Sequence, residues 1–150
     1  MRFPVHIDSW WRPLLLAGGA TPRNSYVELT DDQVLFRFGL LFRRSVPMAD
    51  VEGAVIRAWP LWYGVGWRTN LLGLVGLIGS YKGVVEVRLR KPLRVWGLLR
   101  CRRIAASLED PNAFLAALAR AQEPPAGTTP PRAGARHQRT TRRSRGRPQE

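Results

Sequence analysis

The sequence holds a single cysteine, Cys101, and only two histidines, His6 and His137, among its 150 residues. One cysteine cannot form a disulfide within the chain, and the two histidines lie too far apart in sequence to form a metal-binding motif. We therefore expect no metal site, no cofactor and no disulfide framework.

Long apolar runs are also missing. The longest uncharged apolar stretch, from Thr69 to Tyr81, is shorter than the roughly 20 residues that a membrane-spanning helix needs. Near the N-terminus, His6, Asp8 and Arg12 interrupt what would be the apolar segment of a signal peptide. We therefore expect a cytoplasmic chain, with peripheral attachment to the inner face of the membrane as an open alternative. His6, Asp8 and Ser9 include the residue types of a hydrolase triad, but neighbours on a strand cannot form that geometry by themselves, so we expect a solvated N-terminal segment.

Catalytic motifs are absent from the sequence as well. Gly64 and Gly66 begin the pattern of a dinucleotide-binding loop, but Thr69 stands where the third glycine would be. Cys101 has arginines on both sides, which would lower the pKa of its thiol if the side chain were exposed. We expect an unreactive thiol, and a reactive role is the alternative. We expect a non-enzymatic protein with no catalytic residues.

Acidic residues are scarce, with 11 Asp and Glu against 24 Lys and Arg, so the formal net charge of +13 favours anionic partners. A general preference for arginine in the coding sequence is the alternative explanation.

The amino-acid composition changes after Ala121, because residues 122–150 contain five prolines and seven arginines but no Leu, Ile, Val or aromatic residue. We therefore predict a folded domain over residues 1–121 and a disordered tail over residues 122–150.

Alternating apolar and polar residues predict a mainly β domain that begins with a three-stranded meander. Ser25 to Leu29 and Val34 to Phe38 form the first two strands. The residues between them, Thr30-Asp31-Asp32, favour a turn because their side chains can bond the nearby backbone. Gly39 permits a second reversal into a third strand, from Leu41 to Val46.

Two further strands are predicted at residues 51–59 and 84–90. In the 84–90 strand, valine and leucine alternate with charged residues, which places Glu86, Arg88 and Arg90 together on an outward, solvated face.

The partner of the 84–90 strand is predicted at residues 103–108. Arg100 and Arg102 share its inward parity, so the strand either begins after them or contains a bulge. Residues 60–83 are too apolar for a solvated loop and too rich in glycine for a stable helix. They could hold one or two short strands.

The stretch SLEDPNAFLAALARA predicts the one good helix, at about residues 111–121. Asp110 can accept hydrogen bonds from the first free amides as the N-cap, and Pro111 suits the first helical position. Phe114, Leu115 and Leu118 form an apolar stripe at helical spacing, which we expect to pack on the rest of the domain.

A strand meander closed by a C-terminal helix resembles bacterial pleckstrin-homology-like (PH-like) domains. The segment SYVELTDDQVLFRFGLLFRRSVPMADVEGAV is similar to their opening hairpins. GVVEVRLRKP followed by IAASLEDPNAFLAAL resembles the end of a small actinobacterial family of uncharacterised PH-like proteins. The resemblance covers roughly residues 24–121. It implies a seven-stranded antiparallel barrel or sandwich capped by one helix, with a binding or scaffolding role. Asp31-Asp32 stands where inositide-binding PH domains carry basic residues, so inositide recognition is not implied.

The segment from Arg88 to Arg103 is strongly basic, with no acidic residue between Glu86 and Glu109. Like charges concentrated on one hairpin oppose folding unless they are well solvated or neutralised by an anion. Trp96 near the tip is a residue type that prefers the headgroup region of a membrane. We therefore predict an anion- or membrane-binding hairpin, helped by Trp59, Trp62 and Trp67, and a solvated strand face is the alternative. The predicted site residues are Arg88, Arg90, Lys91, Arg94, Trp96, Arg100, Arg102 and Arg103.

Two functions follow from this charge distribution. The first is a non-catalytic binding or adaptor domain that engages an anionic lipid surface or an acidic protein partner. The alternative is a nucleic-acid binder without sequence preference, in which the tail contacts phosphates. The tail residues predicted for that role are Arg136, Arg139, Arg142, Arg143, Arg145 and Arg147. The oligomeric state is left open.

Overall fold

A computed structural model describes residues 1–70, 72–95 and 97–123, which form two β-sheets and two helices. The first sheet has the strand order β1-β2-β3-β4, and the second has the order β5-β8-β9-β7-β6. The strands of the first sheet are β1 (Arg2–Pro4), β2 (Tyr26–Leu29), β3 (Gln33–Phe38) and β4 (Phe42–Pro47). Those of the second are β5 (Val51–Ile56), β6 (Gly66–Thr69), β7 (Leu74–Ile78), β8 (Val84–Val95) and β9 (Leu99–Ser107). The helices are α1 (Arg12–Ala17) and α2 (Pro111–Gln122), and single 3-10 turns lie at Met48–Asp50 and Leu61–Tyr63.

The predicted meander is confirmed as β2, β3 and β4. At the first turn, the hydroxyl of Thr30 donates to the Asp32 carboxylate at 2.6 Å and accepts from the backbone N–H of Gln33 at 3.3 Å. At the second turn Gly39 has a φ of +61°, and a Cβ there would come within 2.8 Å of the Ala20 backbone. Glycine is therefore required at position 39 both by conformation and by space.

The two sheets pack face to face as a sandwich, and their inner side chains form the main core. Phe36 from the first sheet and Leu77 and Ile104 from the second are fully buried in it. The C-terminal helix closes one side, where the ring of Phe114 meets that of Phe3 edge to face at 5.2 Å. A mainly β fold with one C-terminal helix is thus confirmed.

The predicted capping of α2 is present. The Asp110 carboxylate accepts from the backbone N–H of Ala113 at 2.9 Å, and Pro111 occupies the first helical turn. The helix continues to Gln122, whose side-chain amide donates to the carbonyl of Val51 at 3.0 Å. The last helical residue therefore ties α2 to the start of β5.

The expectation of a solvated N-terminal segment was wrong. Phe3, Val5 and Ile7 are buried, and Val5 forms an isolated antiparallel bridge to Leu108. The segment alternates in burial because it serves as the edge strand of the first sheet and then crosses to the second. Its partners lie far away in sequence, so the local pattern of charged residues gave no sign of this pairing.

The second sheet is mixed, whereas a purely antiparallel one was expected. β7 and β9 pair in parallel, with Leu74 opposite Arg103 and Leu77 opposite Ala106. The uncertain stretch 60–83 holds β6 and β7, which form an antiparallel hairpin and bring the described strands to nine, where the resemblance implies seven. Gly76 in this stretch has a packing role, because a Cβ there would come within 2.7 Å of the Trp59 ring.

Candidate anion-binding cleft

The basic residues of interest lie on β8 and β9, whose antiparallel pairing is interrupted once. Arg88 lies opposite Arg103, and pairing resumes with Leu93 opposite Cys101. Between these two pairs, β8 contains four residues, numbers 89–92, whereas β9 contains only Arg102. β9 begins at Leu99, so it includes Arg100 and Arg102, and of the two predicted alternatives the bulge is the one observed. The buried face of β9 changes parity between Cys101 and Ile104, which leaves Arg100 and Arg102 exposed.

This pairing places like charges directly across from each other. Arg88 faces Arg103, and farther along the hairpin Arg94 faces Arg100. Like charges in opposed positions of an antiparallel pair are destabilising. The hairpin therefore carries a repulsion that a bound anion would relieve.

The loop between β6 and β7 lies beside this basic stretch. The carbonyl of Gly73 accepts from the backbone N–H groups of Arg102 and Arg103, at 2.8 and 3.0 Å. The loop itself is held by the side-chain oxygen of Asn70, which accepts from the backbone N–H groups of Leu72 and Leu74, both at 3.0 Å. Local turn chemistry thus shapes the loop, and the parallel β7–β9 pairing places it next to the arginines.

An open cleft of about 610 Å³ lies between the β6–β7 loop and the β8–β9 hairpin. Its lining contains one carboxylate, that of Glu52, together with the apolar Leu72, Leu89 and Pro92. The remaining side chains are cationic and come from two adjacent strands. They are Arg88, Arg90, Arg100, Arg102 and Arg103.

Five of the eight residues predicted for this site thus line the cleft, and the other three do not. Lys91 is turned to Asp50, with 2.9 Å between its Nζ and the carboxylate. Arg94 lies opposite Arg100 but is not part of the cleft lining. Trp96 lies outside the described residues, as do the tail arginines from Arg136 to Arg147.

Glu86 was expected on a solvated face, and this expectation was wrong. Its side chain is only 2% exposed and lies between two guanidinium groups, 3.4 Å from Nη1 of Arg57 and 3.6 Å from Nε of Arg88. The outer face of the second sheet is covered in part by Trp59, which belongs to a second apolar cluster. A buried carboxylate of this kind requires charged partners.

Cys101 is buried in the core. Burial raises the pKa of its thiol to about 11, so the side chain is protonated at neutral pH. The flanking Arg100 and Arg102 are exposed on the other side of the strand. The alternative of a reactive thiol activated by these arginines was therefore wrong.

The three tryptophans that were expected to assist the hairpin lie away from it. In the register of the second sheet, Leu74 and Arg103 lie near the cleft, whereas Ile78 lies at the other end, opposite Gly66. Trp59 and Trp62 belong to the segment just before β6, at that other end. Trp67 lies in β6 opposite Leu77, one residue from the Gly66–Ile78 pair. The indole N–H of Trp59 donates to the carbonyl of Gly64 at 3.0 Å.

No protein-family model, curated protein or solved structure matches this chain. Among the described residues, no helix combines the length and the apolar character needed to cross a membrane. The same residues contain no group of three or more His, Cys, Asp or Glu that could hold a metal ion.

Sequence reasoning missed the β6–β7 loop and Glu52 as parts of the site. Asn70 and Gly73 are residues typical of turns, so the loop itself could have been found from its composition. Its position beside β9 depends on a parallel pairing that has no local signal.

Proposed function

We propose that this chain is a non-catalytic adaptor domain whose arginine cleft binds an acidic segment of a partner protein. The observation that carries the proposal is that five arginines from β8 and β9 line one open cleft. Arginine presents a planar fork of donors that matches a carboxylate in two parallel hydrogen bonds.

The charge of the cleft supports an anionic ligand. Among the described lining residues, Glu52 is the one that carries a carboxylate, and Glu86 lies behind Arg88 without being part of the lining. Two carboxylates therefore offset five cations, and the opposition of Arg88 and Arg103 adds repulsion that carboxylates of a ligand would reduce. The carboxylates of an acidic segment would accept hydrogen bonds from the cleft arginines and reduce the repulsion between their charges.

The surroundings of the cleft favour a peptide over a flat bilayer or a long duplex. Asp50 contacts Lys91 in the hairpin, and the 3-10 turn that contains it is tied to Asp32 through the N–H of Met48 at 2.7 Å. A broad anionic surface laid across this end would also approach Asp31, Asp32 and Asp50. Among the described residues that line the cleft, none has an aromatic side chain on which a nucleobase could stack.

The test measures binding of a fluorescein-labelled oligoglutamate peptide to the full chain by fluorescence anisotropy. We expect Arg100→Glu/Arg102→Glu to weaken binding by about tenfold or more, since each charge-assisted hydrogen bond contributes roughly 1.5–3 kcal/mol. The matched control is Arg23→Glu/Arg43→Glu, which changes net charge equally at exposed positions outside the cleft. It should change affinity by about twofold at most, because distant surface charges are screened.

Three results would overturn the proposal. Equal losses in both variants would show an effect of net charge alone. Unchanged peptide binding in both double variants would show that residues outside the cleft bind the peptide. A preference of the parent chain for duplex DNA or for anionic liposomes over the peptide, at equal salt concentration, would replace the acidic protein by a phosphate-bearing partner.

A further inference from the structure

Exposed apolar side chains gather at the end of the sandwich opposite the cleft. Trp10 is 91% exposed and Trp62 is 84% exposed, and several leucines near them are also turned to solvent. The leucines that matter here are Leu14, Leu16, Leu40 and Leu41. We call this surface, made of residues 10–19, 40–41 and 61–63, the apolar end.

The first two of these segments are in contact. Leu14 of α1 and Leu41 of the β3–β4 turn line the same pocket of about 290 Å³, with Arg68 at its edge. A Cβ built on Gly19, just after α1, would lie 3.3 Å from the side chain of Leu40.

The third segment joins on the other side of α1. The ring of Trp11 packs edge to face against Tyr81, with 6.5 Å between the ring centroids. The hydroxyl of Tyr81 donates to the carbonyl of Leu61 at 3.4 Å. Residues 61–63, which include Trp62, are thereby connected to the segment that contains Trp10 and α1.

The size of this surface calls for an occupant. A large aromatic side chain buries about 150–250 Å² when it is covered, so the two indoles alone present an apolar area comparable with the largest patch on an ordinary monomer. Helix α1 adds to it, because Leu15 is its one buried residue and Leu14 and Leu16 are exposed. Folding of the chain leaves these side chains largely in contact with water.

The charges around the apolar end are mainly cationic. Arg12 begins α1, Arg68 lines the pocket beside Leu14, and Lys82 follows Tyr81. The carboxylate beside Trp10 belongs to Asp8, which contacts the ring of His6 at 3.1 Å. A partner that complements this surface presents apolar groups to the tryptophans and leucines and anionic groups to the cations around them.

We propose that the apolar end docks on an anionic lipid bilayer. Trp10 and Trp62 lie at the level of the headgroups, which tryptophan prefers, and the exposed leucines contact the upper acyl chains. Arg12 and Arg68 contact lipid phosphates. A second copy of the chain fits less well, because a symmetric interface would pair one mainly cationic border with another instead of with an anionic one.

This orientation turns the arginine cleft away from the membrane, toward a partner held beside the bilayer. The inference is independent of the ligand proposed for the cleft, because the two surfaces lie at opposite ends of the sandwich and share no residue. Either proposal can fail without the other.

The test measures co-sedimentation of the full chain with phosphatidylcholine vesicles that contain or lack phosphatidylglycerol. Salt is kept high enough to screen the arginine-rich tail. We expect Trp10→Ala/Trp62→Ala to weaken binding to the anionic vesicles about tenfold or more, since binding scales with buried apolar area. Leu72→Ala/Leu98→Ala is the matched control, with side chains that are 85% and 93% exposed away from the apolar end. We expect it to bind within about twofold of the parent.

Leu14→Ser/Leu16→Ser, a second pair at the same end, should lose binding in the same way. Circular dichroism of each variant confirms that the fold is kept. An equal or larger loss of vesicle binding in the Leu72→Ala/Leu98→Ala variant would show that the bilayer binds at the cleft end, and it would overturn the proposal. Equal binding of all variants would overturn it too, as would a parent dimer in sedimentation that the tryptophan substitutions dissociate.

Discussion

Glu86 and Arg88 lie on the same face of β8, and Nε of Arg88 is 3.6 Å from Oε1 of the buried Glu86. The other carboxylate oxygen of Glu86 lies 3.4 Å from Nη1 of Arg57. Arg88 is also part of the cleft lining, whereas Glu86 is not. An anion that enters the cleft therefore competes with Glu86 for Arg88.

Glu86→Gln should raise the affinity of the full chain for oligoglutamate by about twofold to fivefold, since an ion pair with a half-exposed arginine contributes only ~0.5–1 kcal/mol. Anisotropy titration measures the change. The same substitution at Glu28, which pairs with Arg2 at 3.5 Å, is the control and should leave affinity unchanged. An equal gain from Glu28→Gln would attribute the effect to net charge.

Gly39→Ala should lower the free energy of unfolding by about 2 kcal/mol or more, because the new methyl group clashes with backbone atoms at a positive φ. Chemical denaturation measures the loss. Gly97→Ala is the control, since Gly97 also has a positive φ, of +75°, but no atom lies within 4 Å of the position that a Cβ would take there. It should cost only the conformational strain, about 1 kcal/mol. Similar losses at both sites would contradict the close approach to Ala20.

Stability should decline as pH rises from about 9 to about 11, because burial raises the pKa of Cys101 from its ordinary value of 9.0 to about 11. In this window the unfolded chain loses the thiol proton while the folded chain keeps it, so ionisation favours the unfolded state. Denaturation of the parent and of Cys101→Val across this range isolates the contribution, up to ~2 kcal/mol. Parallel curves for the two proteins would show that the folded thiol ionises normally.

Removal of residues 124–150 should leave the melting temperature unchanged, because the tail has no Leu, Ile, Val or aromatic side chain to contribute to a core. The cut is placed after Glu123 since Gln122 bonds to the carbonyl of Val51. Affinity for duplex DNA should fall, most of all at low salt, because the removed arginines contact phosphates. Calorimetry checks the first expectation, and a loss of several degrees would mean that the tail packs on the domain.

The turns and the helix start could be predicted from the sequence because their interactions are local. Thr30 and Asp32 bond within their own turn, and Asp110 caps the helix that begins at the next residue. Side chains a few residues apart meet whatever the rest of the chain does. The basic character of the 88–103 segment was likewise evident from residue types alone.

Tertiary structure decided which of those basic residues form a site and what surrounds them. The parallel pairing of β7 with β9 brings Gly73 beside Arg102. The position of β8 between β5 and β9 leaves Glu86 buried, with Arg57 3.4 Å away. These contacts join residues distant in sequence, and their free energy depends on burial and on partners supplied by other strands. Alternation along one strand shows which residues share a face, but only the packed neighbours determine whether that face meets water.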